Sequence, residues 1–208
     1  MVIKRIAVLI SGGGSNLQSI MDEINKGKIN GEIQLVISDR KDAYGLKRAE
    51  DENIETLTIL KSDFESREEW NRQVLYLLQS YKIDLVLLAG FMSILDKNIV
   101  RAFPNAIMNI HPALIPSFCG KGFYGQRVHQ AVLDYGVKIT GATVHFVDEG
   151  ADTGPIILQE AVEVYQDDSV ESLAKRVLEV EHRIFPRAVA LFTEGKIEVK
   201  GRKVVIRC

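Results

Sequence analysis

Two short stretches hold the side chains best suited to chemistry. The first is Asn109-Ile110-His111-Pro112, at the end of the apolar run Ala106-Ile107-Met108. Residues two apart in a strand project to the same side, so the amide of Asn109 and the imidazole of His111 point together. Pro112 has no N–H and keeps His111 on extended backbone. The second stretch runs from Val144 to Pro155. It is an apolar strand that empties into Asp148, Glu149 and Asp152, with Gly150 and Gly154 among them. Amide and imidazole N–H groups stabilise a developing oxyanion, and an imidazole beside a carboxylate moves protons. Either stretch alone could merely satisfy a loop. The two together suggest polar groups gathered at strand ends, where open α/β sheets bind ligands.

A third stretch is suited to holding an anion. Ile6 to Ile10 is a continuous apolar run, the mark of a strand buried on both faces. Ser11-Gly12-Gly13-Gly14-Ser15-Asn16 follows, and then a helical pattern through Leu17, Ile20, Met21 and Ile24. Strand, glycine turn and helix together aim backbone N–H groups at a negative ligand. No lysine completes a Walker loop. Leu17 stands where a dinucleotide fingerprint needs its third glycine, although Asp39 could serve as that fingerprint's acid. Three successive glycines carry an entropic cost that a plain turn does not require. The turn is read as a cradle for a terminal phosphate monoester, with Gly13 and Gly14 in its backbone and Ser15 and Asn16 adding donors.

Other residues carry two readings each. Phe91-Met92-Ser93-Ile94-Leu95 is either ordinary core or a wall for a flat heteroaromatic ligand. His145 is an orienting partner or a satisfied core histidine. His129 falls off the apolar stripe Val128, Val132, Tyr135 and reads as surface or supporting. Glu181 lies on the buried stripe of the last helix (Val170, Leu173, Ala174, Val177, Leu178, Phe185, Ala188, Phe192). A carboxylate there is costly unless it is paired internally or meets a ligand. Ser117 to Arg127, rich in glycine and aromatics without periodicity, reads as a mobile surface loop beside the site.

The elements that position these residues alternate. Strands are expected at Glu32–Ile37, Glu55–Ile59 and Asp84–Gly90, and helices at Ala43–Asn53 and Ser66–Tyr81. Asp96 can cap the short helix that follows. Such alternation predicts a parallel sheet with right-handed crossovers. Lys138–Val147 and Ile156–Val164 should extend it as antiparallel strands. Ser169 opens a long helix that Pro186 should kink and Gly195 should end. A hairpin, Lys196–Val199 and Lys203–Ile206, closes the chain. The fold class is therefore α/β: one domain over 1–208, with a Rossmann-like, mostly parallel half (1–105) holding the phosphate turn. The other half (106–208) adds antiparallel strands and the long helix.

Composition excludes several partners. The 208 residues carry 26 basic and 28 acidic side chains, well interspersed, for a net charge of −2. That gives no basis for a nucleic-acid or membrane surface. No run is long enough to span a bilayer, and the first apolar run flows straight into the glycine turn, unlike a signal peptide. Two cysteines, Cys119 and Cys208, form no disulfide framework or metal site and fit a reducing cytoplasm.

Ile10 to Asn16, Ala89-Gly90-Phe91-Met92, Asn109 to Pro112, Val144 to Val147 and Asp152-Thr153-Gly154-Pro155 together resemble the folate-dependent phosphoribosylglycinamide formyltransferases of purine biosynthesis. The motifs keep the family's order over nearly the whole chain. The N-x-H and later aspartate are shared with other folate-dependent formyltransferases and hydrolases, while the S-G-x-G-S-N turn narrows the resemblance. It implies transfer of a formyl group from 10-formyltetrahydrofolate, a co-substrate, to the amine of glycinamide ribonucleotide, without a metal. It implies that Asn109, His111 and Asp152 are catalytic, and that Gly13, Gly14, Ser15, Asn16, Arg67 and Glu181 meet the nucleotide. The folate would lie along Phe91, Met92, Ile94, Leu95, Val147 and Asp148. A carboxylate beside His111 would favour its imidazolium form.

Ser93 stands where many relatives carry arginine, and the 117–127 loop is longer than theirs. A monomer or homodimer in the cytoplasm, with small molecules as partners, is implied. A 10-formyltetrahydrofolate hydrolase would share the trio but carry an extra N-terminal domain, and none fits before Ile3. A transfer-RNA formyltransferase would need a further basic domain. A non-catalytic nucleotide-binding module would leave the polar strand ends unexplained.

Overall fold

The computed structural model describes residues 2–207; Cys208, one of the two cysteines, lies outside them. The parallel strands are β1 (Lys4–Ile10), β2 (Gly31–Ser38), β3 (Thr56–Thr58), β4 (Leu85–Leu88) and β5 (Ile107–His111); the apolar runs of β1, β4 and the end of β2 are buried on both faces, while the edge strand β3 is only partly buried. All five are parallel, in the order β3-β2-β1-β4-β5. The sheet continues with antiparallel β6 (Ile139–Phe146) and β7 (Ile156–Glu163). It ends in the hairpin of β8 (Ile197–Lys200) and β9 (Lys203–Ile206), β9 lying beside β7. The single α/β domain expected from the alternation is the one observed.

Helices cover both faces. α1 (Ser15–Asn25), α2 (Tyr44–Asp51), α5 (Gln126–Tyr135) and α6 (Val170–Thr193) bury Leu17, Ile20, Leu46, Val132, Val177 and Phe185 against Val8, Leu87, Ile110 and Val144. α3 (Arg67–Ser80) and α4 (Lys97–Ala102) bury Trp70, Val74, Leu78 and Ile99 against Leu9, Leu35, Val86 and Ile107 on the other face. Ser66, Asp96 and Ser169 cap α3, α4 and α6 with their side chains, satisfying N–H groups that lack intrahelical partners.

Two consequences matter for function. The strand order reverses between β1 and β4, which is where a crevice opens at the strands' carboxyl ends. And β5 alternates: Met108 and Ile110 enter the first layer, Ile107 the second. Asn109 and His111 therefore share the face of Ile107, and the antiparallel register sets His145 opposite Asn109 and Thr143 opposite His111.

Two local expectations need correction. Tyr135, expected inward, is 80% exposed, because α5 ends at Gly136 and the ring lies edge-on to Phe118 outside the core. His129, read as either surface or supporting, is not at the surface: it is buried, since α5 is enclosed over a wider arc than its aliphatic stripe. α6 carries Pro186 inside it, and Val180, Ile184 and Val189 join its buried face.

Trp70 is fully buried and donates its indole N–H to the carbonyl of Ile59 at 2.9 Å. Trp70→Ala is expected to lower stability by about 3–5 kcal/mol, read by urea unfolding. A loss below about 1 kcal/mol would contradict the packing described for α3.

Candidate active site

The strand face shared by Asn109, His111 and His145 meets Asp152, which arrives on the loop after β6. Oδ2 of Asp152 lies 3.7 Å from Nδ1 of His111, and Oδ1 lies 3.6 Å from Nε2 of His145. Asn109 donates its amide N–H groups to Nε2 of His145 at 3.2 Å and to Oδ1 of Asp152 at 3.4 Å. The backbone N–H of Gly120 donates to Oδ2 at 2.8 Å. One carboxylate thus gathers two imidazoles, an amide and a loop.

The ring tautomers follow from the acceptors. The carbonyl of Phe146 lies 2.8 Å from Nδ1 of His145, so that nitrogen carries the hydrogen and Nε2 accepts from Asn109. The carbonyl of Phe118 lies 2.9 Å from Nε2 of His111, so that nitrogen carries the hydrogen and Nδ1 faces the carboxylate. Burial is the strongest influence on His111 and pushes it below the ordinary histidine value, over the opposing pull of Asp152 and Phe118. The imidazolium expected from the neighbouring carboxylate is therefore not the resting form. Burial also opposes ionisation of Asp152, but the His145 ring, the Gly120 N–H and His111 together hold it below the usual aspartate value.

The loop is built to present that carboxylate. Asp152 takes a left-handed backbone, φ 56°, which aspartate and asparagine tolerate better than most residues. Asp148 accepts from the N–H of Gly150 at 3.0 Å and the hydroxyl of Thr153 at 2.5 Å, closing the turn. Any Cβ on Gly154 would lie 1.8 Å from the carbonyl oxygen of Phe146, so only glycine fits there. The 117–127 loop, expected to be mobile surface, is tied to the site at its start through Phe118 and Gly120. Cys119 has its thiol pushed up by burial, which suits no nucleophile.

The glycine turn lies at the strand-order reversal. A cleft of about 350 Å³ is lined by Ser11 to Asn16, Arg40, Ala89, Gly90 and Met92. Gly14 is the N-cap of α1, and no side chain caps this helix, so its first N–H groups stay open. A Cβ on Gly12 or Gly13 would meet only open space, whereas Gly14 (φ 69°) packs against Gly45, 2.5 Å from where its own Cβ would stand. Arg48 braces the turn from outside, donating to the carbonyl of Gly13 at 2.9 Å and to Gln18 at 3.1 Å.

Glu181 stands beneath the turn, and its partner is no cation. It accepts from the Asn16 amide at 2.6 Å, and burial pushes its carboxyl up to about 7. Along the proposed folate wall, Phe91 stacks on Trp70 at 6.2 Å and Leu95 is buried, while Met92 and Ile94 are exposed. The wall is tied to the turn by the Met92 N–H, which donates to the Ser11 hydroxyl at 2.8 Å. Arg67 donates to the carbonyl of Ile94 at 2.7 Å and so braces this wall. Val147 packs into the second layer of the core. Ser93 is buried and donates to Asp39, tying the wall to the end of β2.

Among the described residues no group of three or more His, Cys, Asp or Glu side chains is arranged to hold a metal ion, and no helix is long and apolar enough to cross a membrane. Arg40, Arg48, Phe118 and Gly120 were not singled out by sequence. Only the proximity of Arg40 to the end of the second strand could have flagged it.

A family model for formyl transferases matches residues 4–189. The chain belongs to the formyl transferase family. Among its relatives, the phosphoribosylglycinamide formyltransferase of Haemophilus influenzae is 40% identical over 95% of this chain and 91% of its own length. The chloroplastic phosphoribosylglycinamide formyltransferase of Arabidopsis thaliana is 41% identical over 94% of this chain and 67% of its own length. Glycinamide ribonucleotide transformylase 1 from Symbiobacterium toebii superposes with a TM-score of 0.94 at 46% identity, over 99% of this chain and 95% of that one.

Glu181 yields a pH test. Its folded-state value of about 7 lies above the ordinary 4.5, so the fold favours the protonated form. That contribution is complete below pH 4.5 and is lost as the pH rises through about 7. Glu181→Gln is expected to raise stability at pH 8 by up to ~3 kcal/mol and to change little near pH 4. Equal effects at both pH values in chemical unfolding would contradict a buried carboxyl that has an amide but no cation beside it.

Proposed function

We propose that this formyltransferase carries a formyl group from 10-formyltetrahydrofolate to the primary amine of glycinamide ribonucleotide, a step of purine biosynthesis. The observation that supports it best is the convergence of Asn109, His111 and Asp152 next to an uncapped glycine turn. β1 and β5 are separated only by β4, so the turn and the trio stand two strand spacings apart, roughly 10 Å. A ribose phosphate with a short amide arm spans that distance. Its phosphate sits on the open N–H groups of Gly14, Ser15 and Asn16, with Glu181 and Arg67 serving the nucleotide. The folate occupies the side of Met92 and Ile94, with Phe91 and Leu95 supporting that wall from the core. Val147 and Asp148 border it from the 147–153 turn.

His111 starts neutral, with Nδ1 free to take a proton. The amine attacks the formyl carbon, and negative charge builds on the formyl oxygen. Asn109 holds Asp152 by a long bond of 3.4 Å, which it gives up to donate to that oxygen. His111 accepts the amine's proton at Nδ1, and Asp152, 3.7 Å away, stabilises the imidazolium that results. The same ring then returns the proton to the leaving nitrogen. His145, with its hydrogen fixed on Nδ1, keeps the Asn109 amide the right way round.

The enzyme works on small molecules in the cytoplasm, as a monomer or homodimer, with no nucleic acid or membrane partner. The evenly interspersed charge, −2 in total, supports this. Hydrolysis of 10-formyltetrahydrofolate is the second reading, since it would use the same trio.

One donor to an oxyanion is worth about a hundredfold to a thousandfold in rate. Asn109→Ala and His111→Ala are each expected to lose at least that factor in formyl transfer while unfolding as the parent does. Near-parental turnover in either ends the assignment. Asp152→Asn keeps a side chain that tolerates the left-handed backbone, and it is expected to lose rate with little change in nucleotide binding. Formate release that is independent of glycinamide ribonucleotide would favour the hydrolase.

A further inference from the structure

We propose that Arg40 is the cation that selects the phosphorylated substrate, a role that rests on the nucleotide reading above. Backbone N–H groups bind an anion but supply only partial charge, and a phosphate monoester carries more than one negative charge. The cleft around the glycine turn is lined by Ser11 to Asn16, Arg40, Ala89, Gly90 and Met92, and Arg40 is the one charged side chain among them. Arg48, the other nearby guanidinium, is already committed to the Gly13 carbonyl, to Gln18 and to the face of Tyr44, 5.0 Å away.

The backbone of Arg40 is fixed and its head is not. Ser38, fully buried at the end of β2, donates its hydroxyl to the Arg40 carbonyl at 2.8 Å and accepts from the Arg40 N–H at 3.0 Å. That double contact sets the direction in which the side chain leaves the turn. Its neighbour Asp39 is held by the Ser93 hydroxyl. Among the described residues the Arg40 guanidinium has no hydrogen bond and no ion pair, although 28 acidic residues are spread through the chain. A planar fork of donors left free at the mouth of an anion cradle matches a phosphate's oxygens two at a time.

The test compares parent, Arg40→Ala and Arg40→Lys by calorimetric titration with inorganic phosphate, with glycinamide ribonucleotide and with its dephosphorylated nucleoside. Losing a charge-assisted contact is expected to weaken phosphate and nucleotide by about tenfold to a hundredfold in Arg40→Ala, with part of the loss restored in Arg40→Lys. Nucleoside affinity should match the parent's within about twofold. Thermal unfolding of both variants should match the parent, because the side chain is exposed. Parental nucleotide and phosphate affinity in Arg40→Ala would overturn the assignment, and so would an equal loss for the nucleoside. The inorganic phosphate arm reads Arg40 even if the parent proves not to formylate the nucleotide, so the two proposals fail separately.

Discussion

The carboxylate of Asp152 is the constraint on which the site depends. A half-buried anion is tolerated only where enough donors surround it. Here the groups around it come from three separate parts of the chain: β5 supplies the Asn109 amide and the His111 ring, β6 the His145 ring, and the loop after the cis Ile115–Pro116 bond the Gly120 N–H. Each of those segments is thereby fixed relative to the others. The two imidazoles are held in defined tautomers, and the Asn109 amide is held in one orientation. The geometry of the site and its local stability rest on the same set of contacts.

The sheet explains why those contacts can form beside the glycine turn. Parallel strands leave their carboxyl ends at one edge of the molecule, and the reversal of order between β1 and β4 opens that edge. Antiparallel β6 then brings His145 back across β5 into register with Asn109. β6 ends beside Met108, and the loop that follows it folds Asp152 against the strand face that carries Asn109 and His145. α6 closes the arrangement from the other face, with Glu181 and Asn16 linking it to the glycine turn.

Much of this was legible in the sequence. The apolar runs Ile6 to Ile10 and Leu85 to Leu88 named their own strands, because only strands buried on both faces read that way. The alternation Ile107, Asn109, His111 placed two polar groups on one face, and the helical stripe through Leu173, Val177 and Phe185 exposed Glu181 as an anomaly. The rest needed the third dimension. The resting protonation of His111 is decided by burial, which local sequence does not reveal, so its carboxylate neighbour was given too much weight. The loop from Ser117 looked free because its anchors are a backbone carbonyl and a backbone N–H, which every residue has. His129 and Tyr135 exchanged places for the same reason: the covering of α5 comes from distant segments. Arg40 gave no signal because a lone arginine after a strand is usually solvent-exposed and idle.

The most direct measurement is a crystal structure with glycinamide ribonucleotide bound. The expected result has the phosphate on the N–H groups of Gly14, Ser15 and Asn16, and the primary amine within hydrogen-bonding reach, about 3 Å, of His111 or of a water shared with Asp152. A nucleotide lying with its amine directed away from His111 and Asp152, or its phosphate outside the glycine turn, would contradict the shared cleft.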